Sequence, residues 1–200
     1  MLISHKYKFC YVHIPRTGGS WATYKLRDLD DTLKGSGKEI PLAHAHPTRY
    51  EYKKFGRHGR LEQMYEACDV NLDDYFKFAF VRHPYTRFQS AFTYFTDVME
   101  TAKRVGFVNY EQMMDWIEDT NASKLHVAPQ CNWHDKRIDQ YFKFENIEQI
   151  SLEKYIKNIA YNKRSNPIMK TRYKTELDSN IKQRIYVFYK QDFELFDYQP

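Results

Sequence analysis

The stretch "HIPRTGGSW" (residues 13–21) does most to decide the fold. It follows an alternating run of β-forming residues, "YKFCYVH" (7–13), and leads into residues 19–29, for which we expect a helix. Two glycines let a backbone approach an anion closely, and a helix start offers N–H groups to it. A nucleoside triphosphate loop would end in Gly-Lys and then Ser or Thr, but no Lys follows Gly19. The stretch therefore predicts a strand, an anion-binding turn and a helix; an ordinary glycine-rich bend is the alternative.

Strand and helix patterns alternate along the rest of the chain. The apolar patterns predict strands at 40–44, 75–81 and 138–144, and helices at 59–68, 84–100, 109–119, 151–160 and 174–190. Strands separated by helices indicate one α/β domain over residues 1–200, with a central, mostly parallel sheet flanked by helices. Ligands of such folds bind at the carboxyl ends of strands, which singles out residues 14–21 and 82–90.

Composition narrows the function classes. The chain has 200 residues, of which 42% are hydrophobic and 28% charged, as in a globular domain. Its longest stretch without Asp, Glu, Lys or Arg is residues 125–134, so we expect no integral membrane segment. No apolar leader follows Met1 and the three cysteines are far apart, which favours a cytoplasmic protein. The net charge of +5 favours an anionic ligand but is too small to favour nucleic acid.

The segment "VRHPYTRFQS" (81–90) predicts a second anion contact. Arg82 ends a strand and Pro84 starts a helix, so Ser90 lies about 9 Å along the helix axis. Helical side chains lean towards the N-terminus, so the Arg82 charge and the Ser90 hydroxyl can converge near the helix start. The alternative is an Arg in a surface ion pair and a Ser facing solvent.

Together these segments resemble the donor-binding motifs of sulfotransferases that use 3′-phosphoadenosine 5′-phosphosulfate (PAPS). In that family a "PKTGGTS"-like loop holds the 5′-phosphosulfate, and an "FVRNPYDRLVSAY"-like segment binds the 3′-phosphate. The matching stretches here are "PRTGGSW" and "FVRHPYTRFQSAF". "HVAPQ" (126–130), "IDQYFKFENI" and the C-terminal "YKQDFELFDY" are similar to further segments of the carbohydrate branch, which contains the heparan and chondroitin enzymes.

The resemblance implies an α/β fold of the P-loop NTPase-like type. It also implies PAPS as the donor and a carbohydrate or small hydroxyl-bearing molecule as the acceptor. It assigns PAPS binding to the first loop and to the second segment, and by position to the basic stretch before the last helix. The implied binding residues are Arg16, Thr17, Gly18, Gly19, Ser20, Trp21, Arg82, Ser90, Lys163 and Arg164. For the basic stretch, a solvated loop is an equal alternative.

Arg16 departs from the family pattern, which usually has Lys at this position. That Lys contacts the leaving oxygen of the donor and supplies positive charge. Arg can stabilise developing charge through its fixed donors but is a poor proton donor, because its pKa exceeds about 12. If Arg16 is catalytic, it therefore acts electrostatically.

"LAHAH" (42–46) supplies the candidate base. Alternation along an extended chain puts His44 and His46 on one face, and sulfuryl transfer needs a group that removes the hydroxyl proton. The 2-O-sulfotransferases carry a similar His-x-His. We expect His46 to be the base, with His44 as its helper or the alternate base; a structural pair is the alternative.

Three rival interpretations stay open. A metal site is one, since Cys10-x-x-His13 and Cys131-x-x-His134 accompany the His-x-His, but no zinc-like cluster of four ligands exists and we expect no metal. A P-loop kinase or ATPase is the second, and a non-catalytic glycan- or nucleotide-binding relative is the third. The sequence names neither the acceptor nor the oligomeric state; the lack of an anchor suggests a bacterial or viral source.

Overall fold

The four-stranded sheet forms the centre of the fold. The computed structural model describes residues 1–26, 29, 58–68, 70–99, 101–121, 125–159 and 176–200. The strand order is β1-β2-β3-β4, with bounds Leu2–Ser4, Phe9–Val12, Phe76–Val81 and Gln140–Lys143. β1 pairs antiparallel with β2, whereas β2 and β3 pair in parallel. β2 and β3 therefore end at the same edge of the sheet.

Helices connect and follow these strands, and the predicted α/β fold class is confirmed. The helices are α1 (Gly19–Leu26), α2 (Leu61–Ala67), α3 (Pro84–Asp97), α4 (Thr101–Val105), α5 (Tyr110–Asp119), α6 (Ser179–Phe188) and α7 (Lys190–Leu195). Short 3₁₀ turns cover Gln130–Trp133, Phe144–Gln149 and Leu152–Lys154.

The chain divides into two compact units. The first comprises Met1–Phe80 and Trp133–Ile168. Aromatic and aliphatic side chains from the sheet, α1 and the 3₁₀ turns form its core, among them Phe9, Tyr11, Leu26, Phe78, Phe80, Phe142 and Ile147. Every residue of β2 is buried, so this strand is covered on both faces, as expected for the inside of an α/β sheet.

The second unit comprises Val81–Asn132 and Met169–Pro200. Within it α3 packs against α5 and α6. Edge-to-face aromatic contacts link α3 to α5: the ring centroids are 4.7 Å apart for Phe92 and Tyr110 and 5.6 Å apart for Phe95 and Trp116. The C-terminal half of α3, the helix whose start carries the second predicted motif, is thus packed on α5.

The structure differs from the predicted elements at identifiable places. β1 was not predicted, because three residues are too few to show alternation. The predicted helix at 151–160 is wrong: only Leu152–Lys154 form a 3₁₀ turn. The Ser151 hydroxyl donates to Glu153 Oε2 instead of capping a helix, and Asn158 adopts a positive φ of 59° that an α-helix excludes. The predicted strand at 40–44 lies outside the described residues.

Candidate active site

The loop after β2 is a tight turn that leads directly into α1. Arg16 and Gly18 have positive φ values of 67° and 105°, and the Thr17 hydroxyl donates to the Ile14 carbonyl at 2.9 Å. The Ala22 amide donates to the Gly18 carbonyl at 3.1 Å, which makes Gly18 the N-cap of α1. The next three amides, on Gly19, Ser20 and Trp21, then lie in the first turn, where an α-helix provides no carbonyl partner for them. The predicted strand, turn and helix are confirmed here.

Side chains of the protein itself explain why both glycines are needed. A Cβ on Gly18 would stand 2.8 Å from the Phe144 ring, and a Cβ on Gly19 would stand 1.5 Å from His13 Nε2. Real Cβ atoms essentially never approach other heavy atoms within 3.0 Å. A side chain at either position would therefore have to displace one of these rings.

A pair of histidines beneath the loop was missed by the sequence analysis. The rings of His13 and His58 lie 4.3 Å apart, and His58 Nδ1 donates to the His13 carbonyl at 3.0 Å. Trp133 Nε1 in turn donates to the His58 carbonyl at 2.8 Å. This arrangement ties the segment before α2 to the end of β2. Position alone could have signalled His13, because it directly precedes the loop.

The Trp21 ring packs on the core. It meets Phe80 edge to face with centroids 5.6 Å apart, and Lys25 Nζ lies 5.9 Å from its centroid. The ring therefore stabilises α1 on the sheet. The predicted contribution of Trp21 to anion binding stays a prediction, and its backbone amide in the first turn of α1 is the donor that it offers.

Arg82 and Ser90 occupy positions that suit a shared anion. Arg82 is 6% exposed and Ser90 2% exposed, so the alternative of a surface ion pair and a solvent-facing serine is wrong. Arg82 Nε donates to the Thr86 hydroxyl at 3.1 Å. Thr86 and Ser90 are four residues apart in α3 and share a face, so the Arg82 guanidinium lies on the face that carries Ser90.

The start of α3 is held in place by its own capping residues. Pro84 occupies the first helical turn, as predicted, and His83 Nδ1 accepts from the Tyr85 amide at 3.3 Å. Since Nδ1 accepts, the proton of a neutral ring is on Nε2, which donates to the Gln199 carbonyl at 3.0 Å. One imidazole therefore caps α3 and holds the C-terminal tail, directly beside Arg82.

Arg87 serves the fold. It is buried, and its Nη2 donates to the Ala128 carbonyl at 2.9 Å. Burial lowers the pKa of Arg87 from its ordinary value, and the Asp192 carboxylate opposes that shift. Arg87 thus pins α3 to the "HVAPQ" segment.

The remaining predicted residues, His44, His46, Lys163 and Arg164, lie outside the described residues. Across the part of the chain that the structure describes, no three His, Cys, Asp or Glu side chains are placed to hold a metal ion. Burial raises the pKa of Cys10 and of Cys131 to about 12, which keeps both as thiols at neutral pH.

Comparison with known protein families gives one match. The model of a family described as Sulfotransferase family matches residues 1–199. The chain belongs to the sulfotransferase family. Membership makes transfer of a sulfuryl group its general chemistry and a hydroxyl-bearing molecule its general class of acceptor. Comparison with curated proteins and with solved structures found no match. No helix among the described residues is long and apolar enough to cross a bilayer.

Proposed function

We propose that this protein transfers a sulfuryl group from PAPS to a hydroxyl of a carbohydrate. The observation that carries the proposal is the buried Arg82, whose guanidinium is fixed on the face of α3 that bears Ser90. The first-turn amides of α1 provide a second place for an anion. In this proposal Arg82 and Ser90 bind the 3′-phosphate of PAPS, and the amides of α1 bind the 5′-phosphosulfate.

The proposed chemistry is an in-line displacement. PAPS, when bound, supplies the sulfuryl group, whose bond to the phosphate oxygen breaks as the bond to the acceptor oxygen forms. His46 takes the proton of the acceptor hydroxyl, with His44 as helper or alternate base. Arg16 and the amides of Gly19 and Ser20 stabilise negative charge at the loop.

The proposal has two further parts, which are the role of the basic stretch before the last helix and the cellular location of the protein. Lys163 and Arg164 add contacts to the 3′-phosphate. All three cysteines are free, which supports a cytoplasmic location, where thiols stay reduced.

Calorimetry with adenosine 3′,5′-bisphosphate (PAP) tests the donor assignment. Arg82→Met is expected to weaken PAP binding about 100-fold, because charge-assisted hydrogen bonds contribute about 1.5–3 kcal/mol each. Binding of 5′-AMP, which lacks the 3′-phosphate, stays near the wild-type value. Arg104→Met, which changes an exposed arginine on α4, is the control and leaves both affinities unchanged. Absence of PAP binding by the intact protein, or unchanged binding by Arg82→Met, contradicts the assignment.

Arg16→Lys tests whether position 16 acts through charge. Both side chains carry a positive charge and both are L-residues at the positive φ of 67°, so the loop is expected to keep its stability. Transfer activity should stay within about tenfold of the wild type, whereas Arg16→Met should lose about 100-fold or more. Both are measured with labelled PAPS across an acceptor panel. Equal activity of wild type and Arg16→Met would remove Arg16 from the mechanism, and PAP binding with no transfer to any acceptor would favour the non-catalytic relative.

A further inference from the structure

We propose that Gln130 and Asp192 are positioning residues that hold the backbone of Arg82 in the geometry for binding the 3′-phosphate. The inference rests on the proposed function, because it concerns how Arg82 recognises PAPS. It assigns a role to two segments that the donor motifs do not include, "HVAPQ" and the aromatic C-terminus.

The Gln130 side chain pairs with both main-chain polar groups of Arg82. The Arg82 amide donates to Gln130 Oε1 at 2.9 Å, and Gln130 Nε2 donates to the Arg82 carbonyl at 2.8 Å. This is the pair of bonds that a neighbouring strand would make, supplied by one side-chain amide just beyond the end of β3. Gln130 is 0% exposed, so water does not compete for these bonds.

Asp192 fixes the orientation of Gln130. Its Oδ2 accepts a hydrogen bond from the main-chain amide of Gln130 at 2.8 Å, and its Oδ1 accepts one from the main-chain amide of Cys131 at 2.7 Å. Gln130 Nε2 lies 3.4 Å from the same Oδ2, so the carboxylate also selects which end of the side-chain amide faces it. An amide oxygen at that place would repel the carboxylate, and Gln130 therefore presents Nε2 to the Arg82 carbonyl.

Bonds on neighbouring residues hold this segment along its length. The Tyr189 hydroxyl donates to the Val127 carbonyl at 2.7 Å, and the buried Arg87 donates to the Ala128 carbonyl. Asp192 is fully buried, and Arg87 is a buried cation whose charge interacts with it. The carboxylate is thus balanced inside the protein and can orient Gln130 without moving.

The consequence is a preorganised arginine. Gln130 fixes the Arg82 main chain and Thr86 fixes its Nε, so both ends of the side chain are set before a ligand arrives. Ordering a flexible arginine on binding costs free energy that a preorganised one has already spent. Loosening Gln130 should therefore weaken recognition of the 3′-phosphate and leave recognition of the 5′ side intact.

Calorimetry with PAP and with 5′-AMP on the full chain tests this. Gln130→Met keeps the side-chain length and removes both bonds to Arg82, so PAP affinity is expected to fall about tenfold with 5′-AMP affinity unchanged. Gln112→Met is the matched control: Gln112 also accepts from a main-chain amide, that of Val108, but does not contact Arg82. It should keep the wild-type ratio of the two affinities.

The outcomes separate the possible failures. An unchanged ratio of PAP to 5′-AMP affinity in Gln130→Met overturns the positioning role, as does an equal fall in both affinities, which marks a general structural role. If Gln130→Met does not fold, Asp192→Asn is judged by the same ratio, because it keeps the shape and weakens the orientation of Gln130. A wild-type protein that does not bind PAP overturns the proposed function together with this inference.

Discussion

Replacing Gly19 by alanine is expected to destabilise the protein by about 3 kcal/mol or more. The added Cβ would stand 1.5 Å from Nε2 of His13 and 2.1 Å from its Cε1, so the imidazole would have to leave its place. The backbone conformation is not the obstacle, since Gly19 has no positive φ. The expected loss of stability is therefore due to the steric clash with His13.

His13 has little room to move aside. Its side chain is buried, its ring stacks on Tyr11 with centroids 5.8 Å apart, and His58 covers another side. Displacing it would disturb the end of β2 and the loop together. Gly19→Ala should therefore lose PAP binding as well as stability.

Urea unfolding of a small set of variants isolates this cause. Gly106→Ala is the matched control: Gly106 has a φ of 93°, and none of the described residues lies within 4 Å of its added Cβ. This change should therefore lower the free energy of unfolding by only about 1–2 kcal/mol, through backbone strain. The double variant His13→Ala/Gly19→Ala should be more stable than the sum of its single changes predicts, because His13→Ala removes the clash. A Gly19→Ala protein as stable as the wild type would show that His13 does not pack on the loop.

The sequence predicted those parts of the fold whose signals are local. "YFKFAFV" (75–81) is a run of strand formers, and the strand that results, β3, is almost wholly buried. Pro84 marks the first turn of α3, since its fixed φ suits that position. The loop after β2 was recognisable because two glycines between an apolar strand and a helix mark a turn, where their freedom to adopt positive φ is needed.

Other parts depend on contacts between distant residues, which leave no periodic trace in a sequence. Gln130 pairs with Arg82 across 48 positions, and His58 lies on His13 across 45. Serine is a residue type that favours the N-cap of a helix, and Ser151 was predicted to be one. Tertiary packing instead buries Leu152 and Ile156 in a segment that begins with a 3₁₀ turn. Local propensity is a weak guide where core packing decides the conformation.

The structure also changes what the loop glycines signify. From the sequence they indicated close approach of the backbone to an anion. In the fold they are already required by the His13 and Phe144 rings, before any ligand is considered. The glycines alone are therefore evidence for the fold. The proposed anion contacts rest on the helix-start amides of α1 and, separately, on Arg82 with Ser90.

His46→Ala is expected to lower the rate of sulfuryl transfer about 10²–10⁴-fold, the usual contribution of a general base, while PAP affinity stays within about twofold. The reason is that a base acts on the acceptor hydroxyl and makes no contact with the nucleotide. The rate is measured with labelled PAPS and the best acceptor of a carbohydrate panel, and the affinity by calorimetry. His134→Ala is the matched control, since His134 is exposed and bonds only locally to the Tyr141 hydroxyl, 3.0 Å away, so both quantities should be unchanged.

His13 and His58, the pair beneath the loop, show how a structural histidine can be distinguished from a catalytic base. The His13 ring fills the space next to Gly19, and His58 Nδ1 donates to the His13 carbonyl, so both histidines already stabilise the loop. Replacing a residue that stabilises the loop should lower PAP affinity and the transfer rate together. A base should lower the rate alone. Full activity of His46→Ala would pass the role to His44. Loss of rate without loss of affinity in His58→Ala would instead make His58 the candidate base, because replacing a base lowers the rate and leaves the nucleotide affinity unchanged.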